Sequence, residues 1–158
     1  MKTSLFATLA VFALAAPALA QDGDAAKGEK TFNKCKACHM IQSPDGEDIV
    51  KGGKTGPNLY GIVGRKFAVQ EGFKYGDGIL ALAAANPDAV WDVYSLKAYV
   101  TNPTDYLDEY SGDEKAKSKM TFKLTKDQDD LVAYLLSVSP DAPEQPAESD
   151  GAPMAPAQ

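Results

Sequence analysis

The sequence predicts an all-α chain of short helices separated by long loops. Three observations carry this. Apolar or small residues recur at steps of three and four near the start, at Ala25, Gly28, Phe32 and Cys35. They recur again near the end, at Leu131, Tyr134, Leu135 and Val138. That is the spacing of one helical face. No stretch alternates convincingly between apolar and polar, as a half-buried strand would. The segment from Ile41 to Tyr75 is non-periodic and rich in glycine, with Gly46, Gly52, Gly53, Gly56, Gly61, Gly64 and Gly72. So long a loop suits a compact domain only if it packs on something other than protein.

At 158 residues the chain is long enough for one domain. Lys2 precedes an uncharged apolar stretch, Leu5 to Leu19, ending in Ala18-Leu19-Ala20. This reads as a secretory signal peptide, residues 1–20, cleaved after Ala20, rather than as an uncleaved anchor. It is too short for a membrane span. No later run is long enough to cross a bilayer, so a soluble exported protein is expected. Residues 21–139 form the expected domain. Residues 140–158 are rich in Pro, Ala and acid, with almost nothing to bury, and are expected to be a disordered tail. The formal charge is −6, or −7 once Lys2 is lost, which argues against a nucleic-acid partner.

Taken in order, Asp24 is the expected N-cap of the first helix. Gly28 inside it costs about 1 kcal/mol against Ala. It points to close approach of another helix, the alternative being a tolerated surface glycine. Asp77 is expected to cap a short helix over 78–85, ended by Asn86-Pro87. Asp92 caps the next, with Val93, Leu96, Tyr99 and Val100 at helical spacing and Pro103 as its stop. A turn or two more is expected over 104–111. Residues 113–126 are polar and loop-like, with Met120 among them. Thr125-Lys126-Asp127-Gln128 matches a capping box with Thr125 at the N-cap, leading into the last helix.

The chemistry concentrates in Cys35-Lys36-Ala37-Cys38-His39. C-x-x-C-H is the attachment signature of c-type haem. Two sulfurs one turn apart can reach the two vinyl groups on one porphyrin edge, and the next imidazole can bind the iron. A zinc site would need further ligands, but Cys35 and Cys38 are the only cysteines and His39 the only histidine. A redox dithiol would normally follow a strand, and none is expected there. A disulfide would close too small a loop to stabilise much.

A second axial ligand can be sought by elimination. No other histidine exists, and Lys and the N-terminal amine are protonated at neutral pH. Met1 leaves with the signal, Met40 adjoins His39, and Met154 lies in the tail. Met120 remains, ahead of the alternative that it fills a core gap. With His39 and Met120 both bound, the iron would be suited to electron transfer rather than to binding oxygen or peroxide.

The motifs CKACH, KTGPNLYGIVGRK over 54–66 and SKMTF over 118–122 resemble those of a class I cytochrome c, most closely the large bacterial periplasmic type. The resemblance spans roughly Asp22 to Val138. It implies short helices and long loops wrapped around one haem c, covalent through Cys35 and Cys38, with His39 and Met120 on the iron. It implies that the Pro57 carbonyl accepts from His39, and that Arg65, Tyr75, Trp91 and Ser118 serve the haem propionates. It sets Tyr99 near the methionine ligand and Phe122 beside the haem edge. Gly28 and Phe32 would pack on Leu131 and Tyr134 where the terminal helices cross. Against the short mitochondrial pattern, extra residues lie around 43–51 and 108–117.

The implied role is that of a monomeric one-electron carrier, not an enzyme. It would run between a bc1-type complex or periplasmic dehydrogenases and terminal oxidases or reductases. Lys34, Lys36, Lys54, Lys117, Lys119 and Lys123 gather near the expected haem edge, and no acid interrupts 115–126. On a negative protein such a face is expected to steer docking to acidic partner surfaces. Competing readings are a ligand-binding or peroxidase-like haem protein, a haem-delivery module and a thiol oxidoreductase.

Overall fold

The structure, a computed structural model, describes residues 23–145. The expected signal peptide and residues 146–158 lie outside the described residues. In chain order come α1 (Ala25–Phe32), β1 (Ile41–Gln42), β2 (Asp48–Val50), α2 (Asp77–Ala85), α3 (Val93–Thr101), α4 (Pro103–Tyr110) and α5 (Gln128–Ser137). The all-α expectation holds in five short helices; the only sheet among the described residues is a small antiparallel hairpin in which Ile41 pairs with Val50 and Gln42 with Asp48. Its turn and second strand fall within the stretch 43–51. Gly46 turns the chain at φ 89°, and Ser43 N donates to Glu47 O at 3.0 Å. With two or three residues per strand, no alternation could register in the sequence.

Asp24 caps α1, its carboxylate accepting from Ala26 N and Lys27 N. The helix stops at Phe32, so Cys35 lies in the turns beyond it rather than on its face. α1 crosses α5. Asp24 N donates to Asp130 Oδ1 at 2.8 Å, and the Phe32 and Tyr134 rings meet edge to face at 5.7 Å. A Cβ on Gly28 would collide with the Asp130 carbonyl and lie 2.7 Å from Tyr134 Cβ, so Gly28 marks a close helix approach. Phe32 and Leu131 are essentially inaccessible and close this end of the core.

α2 starts one residue early. Gly76 is its N-cap, and Asp77 is the first helical residue rather than the cap. Asn86 ends α2 and ties it to α4, its Nδ2 donating to Leu82 O and, at 2.9 Å, to Tyr110 O. In α3 Asp92 and Ser95 form a reciprocal capping box. Pro103 ends α3 and opens α4 at its first turn, where its missing N–H costs nothing. The turn or two expected over 104–111 is this helix, eight residues long or about two turns.

The capping box expected at Thr125 is absent. Asp127 is the N-cap of α5, in the left-handed region at φ 66°, with no side-chain cap bond. Gln128 bonds elsewhere, its Nε2 donating to Leu124 O at 2.8 Å and Thr101 Oγ1 at 3.2 Å. The boundary after Ser139 also needs correction. Ala142 packs against the core, and Gln145 Oε1 accepts from Val93 N at 3.2 Å. Among the described residues no helix is long and apolar enough to cross a membrane.

Candidate functional site

The haem-attachment motif sits in consecutive turns after α1. Cys38 N and His39 N both donate to Cys35 O at 3.0 Å, which brings the two cysteines one turn apart. No disulfide joins them. Burial pushes the Cys35 thiol up to about 11, with the Lys34 charge opposing and Cys38 adding to the rise.

His39 Nδ1 lies 2.8 Å from the Pro57 carbonyl, the contact the resemblance implied. The carbonyl can only accept, so Nδ1 carries the proton and Nε2 keeps its lone pair. Burial holds the ring below its ordinary pKa, the Pro57 bond working the other way. The neutral form, the one able to bind a metal, is therefore favoured. Three glycines let the 52–56 loop lie against this turn. A Cβ on Gly56 would strike the His39 ring itself, and one on Gly52 or Gly53 would strike the carbonyl of His39 or Ala37.

Beside the motif lies a cavity of about 630 Å³, lined among others by Met40, Lys54, Gly56, Asn58, Tyr60, Arg65, Gln70 and Phe73. That is within the range of cofactor-sized sites, ~300–1,000 Å³. Arg65 is half-buried here and donates to Asn58 O at 2.8 Å and to Tyr60 O. Tyr75 OH accepts from Gln70 N at 3.3 Å. Asn58 is a residue that sequence reasoning missed. Its side chain accepts from Gln42 N at 3.0 Å and Tyr60 N at 3.1 Å, and donates to Gln42 O at 2.7 Å. It therefore locks the β1–β2 hairpin to the loop carrying Pro57.

Other expected site residues form a second group. Ser118 Oγ accepts from Met120 N at 3.0 Å and lies 3.0 Å from Tyr99 OH. Met120 is half-buried against the core. Trp91 is buried among Phe67, Tyr99 and Tyr106, with ring centroids 4.5, 5.0 and 6.0 Å away. Phe122 is 41% exposed. The cavity thus gathers Arg65 with the 54–60 loop, while Met120, Ser118, Tyr99 and Trp91 are linked along α3. No cluster of three or more His, Cys, Asp or Glu suited to a metal ion occurs among the described residues.

No family model matches the chain. It is, however, 65% identical over 152 residues to cytochrome c-550 of Paracoccus versutus, covering 96% of this chain and 99% of that one. The chain belongs to the class I cytochromes c. It is also 55% identical over 139 residues to cytochrome c2 of Rhodobacter capsulatus, covering 87% of this chain and 98% of that one. The solved structure of cytochrome c2 from Paracoccus denitrificans superposes with a TM-score of 0.76 at 65% identity, covering 77% of this chain and all of that one.

Class I cytochromes c are electron-transfer proteins rather than enzymes, and they carry a covalently attached c-type haem. The residues present fit that group. Two unbridged thiols stand one turn apart, a neutral imidazole has one nitrogen uncommitted, and glycine replaces any side chain that would press on its ring.

Proposed function

We propose that this cytochrome c is a soluble, monomeric, periplasmic one-electron carrier whose iron is held by His39 and Met120, with thioethers at Cys35 and Cys38. Haem supplies the reversible one-electron couple. The observation that carries the reading is the orientation of His39, fixed through Nδ1 by Pro57 with Nε2 left to bind. Such second-shell bonding is what sets the tautomer and strengthens a ligating imidazole. Elimination among the methionines, together with the tether from Met120 N to Ser118 and Tyr99, supports the thioether as the second ligand. Arg65 is the candidate partner for a propionate, because its fork suits a carboxylate. Tyr75, Trp91 and Ser118 are proposed as further propionate partners, and Phe122 as a residue of the haem edge.

The domain would begin after Ala20, and the mature protein would work outside the cytoplasmic membrane. A bc1-type complex or periplasmic dehydrogenases would reduce it, and terminal oxidases or reductases would oxidise it. The oxidised absorption spectrum tests the ligand set. A weak red band from sulfur-to-ferric charge transfer is expected, and Met120→Ala should abolish it. A wild-type spectrum without that band, or ready carbon monoxide binding at neutral pH, would overturn the closed-iron reading.

A further inference from the structure

We infer that residues 138–145 are a positioning strap for the Arg65–Trp91 rung of the haem pocket, with Gln145 as its latch; this rests on the reading that Arg65 and Trp91 serve the haem. By composition this stretch begins a tail with little to bury. In the structure it is tied down along its length. Val138 O accepts from Gly61 N at 3.0 Å. Ser139 Oγ accepts from Val63 N at 3.2 Å and donates to Leu135 O at 2.8 Å. The Pro143 ring covers Gly64, where a Cβ would stand 2.5 Å from Pro143 Cδ. Gly64 has φ 86°, so glycine is required there twice over.

The strap ends on α3. The amide of Val93, in the first turn, has no acceptor within its helix. The Asp92 carboxylate is committed to Ser95 N at 2.7 Å. Gln145 Oε1 fills the gap at 3.2 Å, and its Nε2 closes back onto Pro143 O at 2.6 Å.

Beneath the strap lies one reciprocal rung. Gly64 N donates to Trp91 O at 2.7 Å, and Trp91 N donates to Arg65 O at 2.9 Å. The strap grips both of its sides, Gly64 through Pro143 and Trp91 through Val93 two residues on. Arg65 and Trp91 are therefore placed by a segment that touches neither the cavity nor the attachment motif. Releasing the latch admits water to this side of the pocket. Ferric haem carries one more positive charge than ferrous, so better solvation favours the oxidised form and lowers the reduction potential.

The test uses the full holoprotein with Gln145→Ala, which changes no charge. Amide exchange at Gly64 and Trp91 should speed up about fivefold, as expected for loss of one hydrogen bond, and the midpoint potential should fall. A residue that merely stabilised the C-terminus would move neither. An unchanged potential, or unchanged exchange at Gly64 and Trp91, overturns the inference. Failure of the underlying reading is separately visible in Arg65→Lys with Gln145 intact: a midpoint potential equal to wild type shows that Arg65 does not serve the haem.

Discussion

A single hydroxyl, that of Ser118, takes the Met120 amide hydrogen and touches Tyr99. Replacing it by alanine strands a half-buried amide, a cost of about 1–3 kcal/mol, and frees the Tyr99 hydroxyl. In Ser118→Ala the loop should open more often, and added imidazole should bind the ferric protein more tightly than in wild type. Equal imidazole affinities would show that the tether does not govern Met120. At this scale the sequence was legible where chemistry is local. Cys35, Cys38 and His39 lie within one turn, so spacing alone brings them together. Asn58 was not legible. It joins Gln42, Tyr60 and, through its carbonyl, Arg65, and nothing in a lone sequence distinguishes it from a turn asparagine.

Among the elements, the α1–α5 crossing depends on Gly28. Gly28→Ala would gain about 1 kcal/mol of helix propensity. The new methyl meets the Asp130 backbone, which cannot swing aside, and overpacking costs about 1–3 kcal/mol. Net destabilisation is expected, read as a lower guanidinium midpoint; a higher midpoint would show that the helices separate freely. Helical spacing identified α1, α3 and α5, and the expected caps Asp24 and Asp92 held for α1 and α3, whereas α5 was legible from spacing alone and buries the whole run from Leu131 to Leu135. The Thr125 capping box failed because the motif counts residues, not conformations. Asp127 takes a left-handed turn and Gln128 is drawn to Leu124 and Thr101. The hairpin at 41–50 was invisible for want of length.

Across the whole molecule, charge and burial make two further predictions. All six lysines at the proposed docking edge are exposed. Lys34 pairs with Asp127 at 3.5 Å, and the Lys119 ammonium reaches Tyr75 O at 3.4 Å. Such exposed contacts are weak and leave the face positive. Electron transfer to an acidic partner oxidase should slow as ionic strength rises. A stopped-flow rate indifferent to salt would remove the steering role. Tyr106 concerns stability. Burial pushes its hydroxyl well above the ordinary value of 10.0, with the Asp92 charge next in effect. Below that value both folded and unfolded chains keep the proton. Above it the unfolded chain ionises first, so this tyrosine's contribution is lost as pH rises. Unfolding free energy should fall beyond about pH 10, and less steeply in Tyr106→Phe. Identical slopes in the two proteins would assign alkaline loss to other groups.

The crossing of α1 with α5 also dictates when the molecule can close. Asp24 bonds to Asp130 across a sequence separation of 106 residues. A polypeptide delivered amino end first carries α1 without its partner helix among the described elements until α5 has arrived. Cys35 and Cys38 follow that unmated helix directly, so they stay accessible to a modifying enzyme throughout the interval. Late closure of this kind gives covalent attachment a window before the walls of the pocket assemble.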